Sequence, residues 1–119
     1  MKTLLNALLA IQTLASAEAM LTGMRAGLDA ELIMKVVNAS AVRSDVFERK
    51  SRIMASRQFQ PTSGAFETFA KYLDLAEELA ARVGLRPPLL GAALPLYRAA
   101  LESGRERDDT AAVIDFIGR

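Results

Sequence analysis

The sequence predicts an all-α domain of about six helices. Apolar residues recur at three- and four-residue spacing along nearly the whole chain, which is the period of a helix. No segment shows the alternation of apolar and polar residues that is typical of a strand. Glycines, prolines and short polar runs separate the helical segments. With 119 residues, the chain is long enough for one domain with a buried core but not for two.

The first helix is expected over about residues 3–26, ending at Gly27, a residue typical of helix C-caps. It is apolar on most sides, which predicts a buried helix. One apolar face contains Leu4, Leu8, Ile11, Ala15 and Ala19. A second helix is expected from Ala30 to about Val37, with Asp29 as its N-cap. Its expected core face contains Leu32, Ile33, Val36 and Val37.

Ser44-Asp45 predicts the start of a third helix, from about Val46 to Arg57. Its apolar residues Phe47, Ile53 and Met54 are expected to point inward. The segment from Phe59 to Gly64 has no helical period and contains a proline and a glycine, so it is expected to be a loop.

A fourth, long helix is expected over about residues 65–83. Its inward face is the three- and four-residue series Phe66, Phe69, Leu73, Ala76 and Ala80. A fifth helix is expected over about residues 89–103, although Pro95 should kink it or delay its start. Asp109 is expected to cap a last short helix that ends near Ile117.

Composition excludes several classes of function. The chain has 15 basic and 14 acidic residues, so no strong field attracts nucleic acid or anionic lipid. Cysteine and histidine are both absent, which excludes disulfides, Cys/His zinc sites and histidine-based nucleophilic triads, and no metal site is expected. The absence of disulfides fits a cytoplasmic protein. The charged clusters, 49–52 and 105–109, are expected to form solvated surface.

The N-terminus has the layout of a short secretory signal, with Lys2, an apolar stretch and the small residues 15–17. Asn6 and Gln12 interrupt the apolar stretch, and the helical pattern continues past the small residues. A core helix is therefore favoured over a signal, and no membrane span is expected.

The order of several short motifs resembles the second, helical domain of the β-hydroxyacid dehydrogenases, the superfamily of 3-hydroxyisobutyrate and 6-phosphogluconate dehydrogenases. The motifs are Lys2 and Asn6 one helical turn apart, then Ala17-Glu18-Ala19 and Gly27-Leu28-Asp29. Phe59 and Pro61, Gly84-Leu85 with Pro88-Leu89, and Asp108-Asp109 continue the match to the end of the chain. The resemblance implies the C-terminal domain-like fold of 6-phosphogluconate dehydrogenase over residues 1–119.

The resemblance implies that Lys2 is the catalytic lysine and Asn6 a substrate-binding residue. Lysine suits proton transfer at a substrate hydroxyl, because burial in a cleft lowers a lysine's pKa towards neutrality. A solvated lysine at the chain end and a surface amide are the alternatives for these two residues. The family often has a second asparagine just before this one, where the chain has Leu5.

In the family, a phenylalanine precedes a Lys-Asp pair by seven residues, and the lysine of this pair faces the cofactor side of the cleft with the aspartate nearby. The resemblance therefore implies Phe66, Lys71 and Asp74 as cofactor-binding candidates. Alignment from Gly84 places Lys71 on the family lysine and Tyr72 on the aspartate, whereas alignment from Phe66 places Asp74 on the aspartate. The first register is preferred because it needs no gap. A solvated Lys71–Asp74 ion pair is the alternative.

The family also implies a function. The chain is expected to be one domain of an NAD- or NADP-dependent 3-hydroxyacid dehydrogenase, inactive alone, with a small 3-hydroxy acid as substrate and a homo-oligomeric assembly. No Gly-x-Gly-x-x-Gly occurs, so the chain is expected to lack the Rossmann domain and to bind no dinucleotide by itself. The alternative is a stand-alone helical dimerisation module without a catalytic role.

Overall fold

The computed structural model describes residues 1–118, which are helical and contain no strand. The helices are α1 (Lys2–Arg25), α2 (Ala30–Asn38), α3 (Asp45–Ser56), α4 (Phe66–Arg82), α5 (Pro88–Glu102) and a terminal 3₁₀ helix (Thr110–Phe116). The all-α prediction is confirmed, and the predicted helix limits agree within about a turn.

Helix α1 is the centre of the fold, and every other helix packs against it. Its buried face consists mostly of small residues, together with Leu14 and Met20. Small residues allow neighbouring helices to approach closely, which is how one helix can contact so many others. Tyr97 of α5 reaches this face and donates a hydrogen bond to the Ala10 carbonyl oxygen at 2.9 Å.

Helix α1 is buried on one side only, and this side is not the apolar face named from the sequence. Leu4 and Leu8 are each 52% exposed, and Leu5 is 59% exposed, whereas Ala7 and Ala10 are buried. The cause is the close packing around α1, because the interior has room for alanine on this stretch but not for a column of leucines. The larger side chains therefore lie on the outside of the domain.

By length and composition alone, α1 is long and apolar enough to cross a membrane. The sequence alone therefore does not exclude a membrane span at α1. Core helices of soluble proteins pass the same test. In this structure α1 packs against α3, α4, α5 and the terminal 3₁₀ helix on one side, while its outer leucines are exposed.

Helix α2 buries Ile33 and Met34, whereas Leu32 and Val36, predicted to be in the core, are 48% and 59% exposed. This short helix packs mainly against α1 and α3, so it buries a narrow face. Asp29 is its N-cap residue, but its side chain makes no capping hydrogen bond.

Helix α3 begins as predicted, because the Ser44 side chain accepts a hydrogen bond from the Phe47 backbone N–H at 3.0 Å. Its buried residues include Lys50 and Ser51 as well as Phe47 and Met54. The solvated surface expected for the cluster 49–52 is therefore wrong at Lys50.

Helix α4 begins without a side-chain cap. Two of its first N–H groups instead donate to backbone carbonyls of the segment before the terminal helix, Phe66 to Asp108 at 3.0 Å and Glu67 to Glu106 at 2.9 Å. The backbone of that segment thus satisfies donors that a helix start leaves free.

Helix α5 starts at Pro88 and continues through Pro95, so the proline does not delay it. Pro95 lies on the exposed side of the helix. The last helix is a 3₁₀ helix, and Asp109 caps it as predicted by accepting a hydrogen bond from the Ala111 N–H at 2.8 Å.

Candidate functional site

The first turn of α1 meets the middle of α4 at Tyr72. The Lys2 Nζ lies 5.7 Å from the centroid of the Tyr72 ring, and the Lys71 Nζ lies 5.0 Å from the same centroid. Both distances fit cation–π contacts. The structure therefore brings together Lys2 and Lys71, which the family resemblance selected from opposite parts of the chain.

Asn6 lies one turn after Lys2 on the same face of α1 and is half-buried, whereas Lys2 is exposed. In the described part of the chain the two side chains make no hydrogen bond with each other. Both remain available to a third group. Because Lys2 is exposed, dehydration of its ammonium would require a second surface that covers this end of α1.

Phe66 lies in the core with 1% exposure, and its ring packs edge-to-face on Tyr97 with centroids 5.4 Å apart. This position gives Phe66 a packing role. Its direct contact with a cofactor stays a prediction that would require the core to open.

Asp74 lies two residues beyond Tyr72, and residues at that spacing do not share a helix face. Its carboxylate pairs with Arg98 of α5 at 3.2 Å, and Arg98 also binds Glu77 at 3.1 Å. The hydrogen bonds that Arg98 donates to Asp74 and Glu77 raise the pKa of its guanidinium. The Asp74 carboxylate pairs with Arg98, so the alternative prediction of a Lys71–Asp74 ion pair is wrong.

Tyr72 belongs to the candidate site, but it was not predicted from the sequence as a site residue. The only signal was its position directly after Lys71, where the resemblance implies an aspartate. Among the described residues, neither Lys2 nor Lys71 forms an ion pair with a carboxylate, and the ring at position 72 supplies none. The arrangement suits an anionic or electron-rich ligand at the exposed end of α1.

A second polar cluster is buried and was not predicted. The Lys50 Nζ donates to Asp109 Oδ1 at 2.8 Å and to Thr110 Oγ1 at 3.1 Å. The side chains of Lys50 and Asp109 are only 8% and 4% exposed. Thr62 donates to the other oxygen of Asp109. The pair joins α3 to the loop before α4 and to the terminal helix.

The charged cluster 105–109 was also predicted to form solvated surface, and this prediction was wrong in part. Arg57 and Arg105 both bind Asp115 Oδ2, at 2.8 and 2.6 Å, and Arg105 also binds Asp108 at 2.8 Å. Burial raises the pKa of Asp115, but the hydrogen bonds and charges of Arg57 and Arg105 outweigh it, so that the pKa is lowered.

The described residues fit only part of a dinucleotide site. Lys2, Tyr72 and Lys71 offer two cations and an aromatic ring at the surface. Pyrophosphate recognition in dinucleotide-binding proteins uses a glycine-rich turn at a helix N-terminus, and the sequence has no such motif. The sequence therefore lacks the phosphate-binding turn of such a site.

Comparison with known proteins agrees with this architecture. The family model described as "NAD-binding of NADP-dependent 3-hydroxyisobutyrate dehydrogenase" matches residues 1–117. The chain is 33% identical over 100 residues to L-threonate dehydrogenase of Escherichia coli K12, covering 84% of this chain and 33% of the relative. It is 35% identical over 122 residues to the mitochondrial 3-hydroxyisobutyrate dehydrogenase of Rattus norvegicus, covering 94% and 35%.

Two solved structures show the same fold. The crystal structure of 3-hydroxyisobutyrate dehydrogenase from Salmonella typhimurium matches with a TM-score of 0.90 and 29% identity, over 98% of this chain and 40% of that one. The Mycobacterium tuberculosis 3-hydroxyisobutyrate dehydrogenase, solved with L-serine, matches with a TM-score of 0.86 and 25% identity, over 99% and 42%.

The chain thus spans about a third of the length of the curated relatives it matches. The family resemblance seen in the sequence is confirmed along nearly its full length. The chain belongs to the NAD-binding family of NADP-dependent 3-hydroxyisobutyrate dehydrogenase, within the β-hydroxyacid dehydrogenase superfamily.

Proposed function

We propose that this chain is the helical wall of the active-site cleft in an NAD(P)-dependent 3-hydroxyacid dehydrogenase, and that a separate nucleotide-binding domain forms the opposite wall. The observation that carries the proposal is the convergence of Lys2 and Lys71 on Tyr72 at one exposed edge of the domain. The family match over residues 1–117 supports it.

In this proposal Lys2 handles the proton of the substrate hydroxyl. During oxidation the neutral Lys2 amine takes the O–H proton as the C–H bond breaks and the carbonyl forms. The nicotinamide, when bound, accepts the hydride from that carbon. In the reverse direction the Lys2 ammonium returns the proton to the forming alkoxide. The opposite wall would cover Lys2 and exclude water from it.

Asn6 would orient the substrate. Its position one turn after Lys2 allows its amide to donate a hydrogen bond to a substrate oxygen while the lysine acts on the hydroxyl. Tyr72 would limit the positions of the Lys2 side chain through their contact. Lys71, exposed beside the same ring, would interact with the cofactor, whereas Asp74 faces Arg98 and would contribute less.

A second candidate function is homo-oligomer formation through the outer face of α1. Leu4, Leu5 and Leu8 are all at least half exposed on consecutive turns, and a contiguous apolar patch usually marks an interface. This function could coexist with catalysis or replace it in a stand-alone dimerisation module. The substrate test below distinguishes these alternatives.

The test compares the chain alone with the chain joined to a nucleotide-binding domain. The chain alone, with NAD⁺ or NADP⁺ and either L-threonate or 3-hydroxyisobutyrate, should form no reduced cofactor. A chimera in which this chain replaces its matching segment in E. coli L-threonate dehydrogenase should form it. Turnover by the chain alone, or an inactive chimera that is folded and binds the cofactor, would contradict the proposal.

A further inference from the structure

The outer face of α1 carries a stripe of residues that the rest of the described chain leaves exposed. They follow one another at four- and three-residue spacing and so share one side of the helix: Leu4, Leu8, Gln12, Ala15 and Ala19. Residues 3–17 contain no charged side chain, although a helix face in water normally carries charges. The stripe therefore has the composition of an interface rather than of a solvated surface.

A cavity of about 440 Å³ lies beside the C-terminal half of this stripe. Its walls include Ala15 and Ala19 of α1, Phe47 of α3, and Val42, a loop residue that is 74% exposed. The alanines keep this space open, because longer side chains at the same positions would extend into it. The stripe therefore has large side chains, the two leucines, at one end and a hole at the other.

The leucines and the hole are placed symmetrically along the helix. Leu4 and Ala19 are equally far from the midpoint between residues 11 and 12, and so are Leu8 and Ala15. When two copies of α1 pack antiparallel about a twofold axis through this midpoint, each leucine of one copy lies opposite an alanine of the other. Such packing of large side chains into holes is the usual geometry of associated helices.

Gln12 lies next to this axis, where the two copies of a residue come closest to each other. A carboxamide both donates and accepts hydrogen bonds, so the two Gln12 side chains can pair. In helical dimers a single polar residue within an apolar seam selects one register, because other registers leave it without a partner.

We infer that two copies of this chain associate antiparallel through α1, with Leu4 and Leu8 of each copy inserted into the cavity beside Ala15 and Ala19 of the other. This arrangement rests on the α1 association proposed above and adds its orientation and register. It does not depend on Lys2 or on dehydrogenase activity.

Disulfide cross-linking tests the register, and single-cysteine variants are unambiguous because the chain has no cysteine. Leu8→Cys and Ala15→Cys chains are mixed, allowed to exchange subunits and oxidised under mild conditions. A disulfide needs Cβ atoms about 4 Å apart, whereas the two copies of residue 8 would lie about 10 Å apart along the helix. The mixture should therefore give at least about fivefold more cross-linked dimer than either variant alone.

A parallel pair of helices would instead cross-link the Leu8→Cys chain with its own copy, and this result would overturn the inference. Val83→Cys, at an exposed position outside the stripe, gives the background level. A mixture at this background level in a protein that still associates would overturn the register while leaving the proposed α1 association standing. A monomeric parent chain would leave this face to a different partner, such as a nucleotide-binding domain, and would overturn both.

Ala15→Leu tests whether the cavity receives a leucine of the other copy. Filling the cavity should raise the dissociation constant of the dimer about tenfold, as expected for overpacking, and sedimentation equilibrium measures this change. Ala92→Leu, the same change at an exposed alanine of α5, should alter the constant by less than about twofold. Tighter association of Ala15→Leu would show non-specific apolar contact, because an added leucine would then help, and would overturn the inference.

Discussion

At the residue scale, the main feature is the charge pair of Lys50 and Asp109 inside a mostly apolar interior. Replacing Lys50 with methionine keeps the length of the side chain but leaves the Asp109 carboxylate buried without its cation. We expect Lys50→Met to lower the free energy of unfolding by about 3 kcal/mol. Equilibrium urea denaturation followed by circular dichroism measures this change.

The matched control is Arg98→Met, which removes the two ion pairs of a side chain that is 47% exposed. Exposed pairs contribute about 0–1 kcal/mol, so this variant should be nearly as stable as the parent chain. If the two variants lost the same amount of stability, Lys50 would not be acting as a buried partner of Asp109.

Sequence reasoning missed this pair for a physical reason. Phe47, Lys50, Ser51 and Met54 follow the three- and four-residue spacing of one helix face, so the position of Lys50 on the core side could have been read from the period. Its charge argued against burial, because lysine is seldom buried without a partner. The partner, Asp109, lies 59 residues away, and no local pattern predicts a contact over that distance.

At the element scale, helix ends were predictable where a side chain forms the cap. Ser44 caps α3 with a local hydrogen bond, and such caps contribute about 1 kcal/mol. We expect Ser44→Ala to lower the free energy of unfolding by about that amount, and Ser44→Asp to retain the parent stability because aspartate can accept the same bond. Urea denaturation of the three proteins checks this, and an Asp variant as unstable as the Ala variant would contradict it.

The faces of the helices were less predictable than their ends. The apolar period of α4 predicted its buried residues correctly, because they lie on a single face of the helix: Phe66, Phe69, Leu73 and Ala76. Helix α1 has apolar residues on most sides, so the sequence could not show which side the neighbouring helices cover. The choice depends on close packing against alanines, which is a property of the assembled domain.

At the scale of the whole molecule, Asp115 and Asp108 join the end of α3, the segment before the terminal helix and that helix itself. Burial raises the pKa of each carboxyl, but hydrogen bonds and neighbouring positive charges lower it more. The hydrogen bonds to Asp108 come from Gln60 and Arg105. A carboxyl with a lowered pKa in the folded state stabilises the fold above its unfolded pKa, near 4, and loses this contribution as pH falls through the folded value.

We therefore expect the free energy of unfolding to be nearly constant between about pH 5 and 7, and to fall below about pH 4. Asp115→Asn removes one of these carboxyls and should reduce the loss of stability on acidification. Urea denaturation over a pH series measures both. An acid dependence of Asp115→Asn as steep as that of the parent chain would show that Asp115 does not contribute.

The outer face of α1 leads to a prediction about association. We expect at least a homodimer, because Leu4, Leu5 and Leu8 form an exposed apolar surface on one helix. Leu8→Glu should shift the protein towards the monomer, whereas Val83→Glu, a change of equal charge at an exposed apolar position of the α4 C-cap, should not. Light scattering of the three proteins measures the mass, and a monomeric parent chain would contradict the prediction.

The candidate catalytic site was predictable to the extent that the family motifs were present in the sequence. Lys2, Asn6 and Lys71 were identified from those motifs, and the structure brings the two lysines to one ring. Tyr72 was not identified, because its role depends on the packing of the α1 start against α4. In the proposed cleft the other wall would come from a nucleotide-binding domain, and this chain's residues do not specify the substrate contacts of that wall.

The catalytic role proposed for Lys2 is tested most directly by the turnover of the L-threonate dehydrogenase chimera after Lys2 is replaced. Lys2→Ala should lower kcat by a factor on the order of 10² or more while the cofactor KM changes little. The reason is that the lysine transfers the proton of the substrate hydroxyl in the transition state. Lys2→Arg should not restore the rate, since a guanidinium does not release its proton at neutral pH. Lys35→Ala, a change at an exposed lysine of α2, should leave kcat unchanged. If Lys2→Ala retained nearly full turnover, Lys2 would be an ordinary surface lysine and the account of the catalytic wall would be wrong.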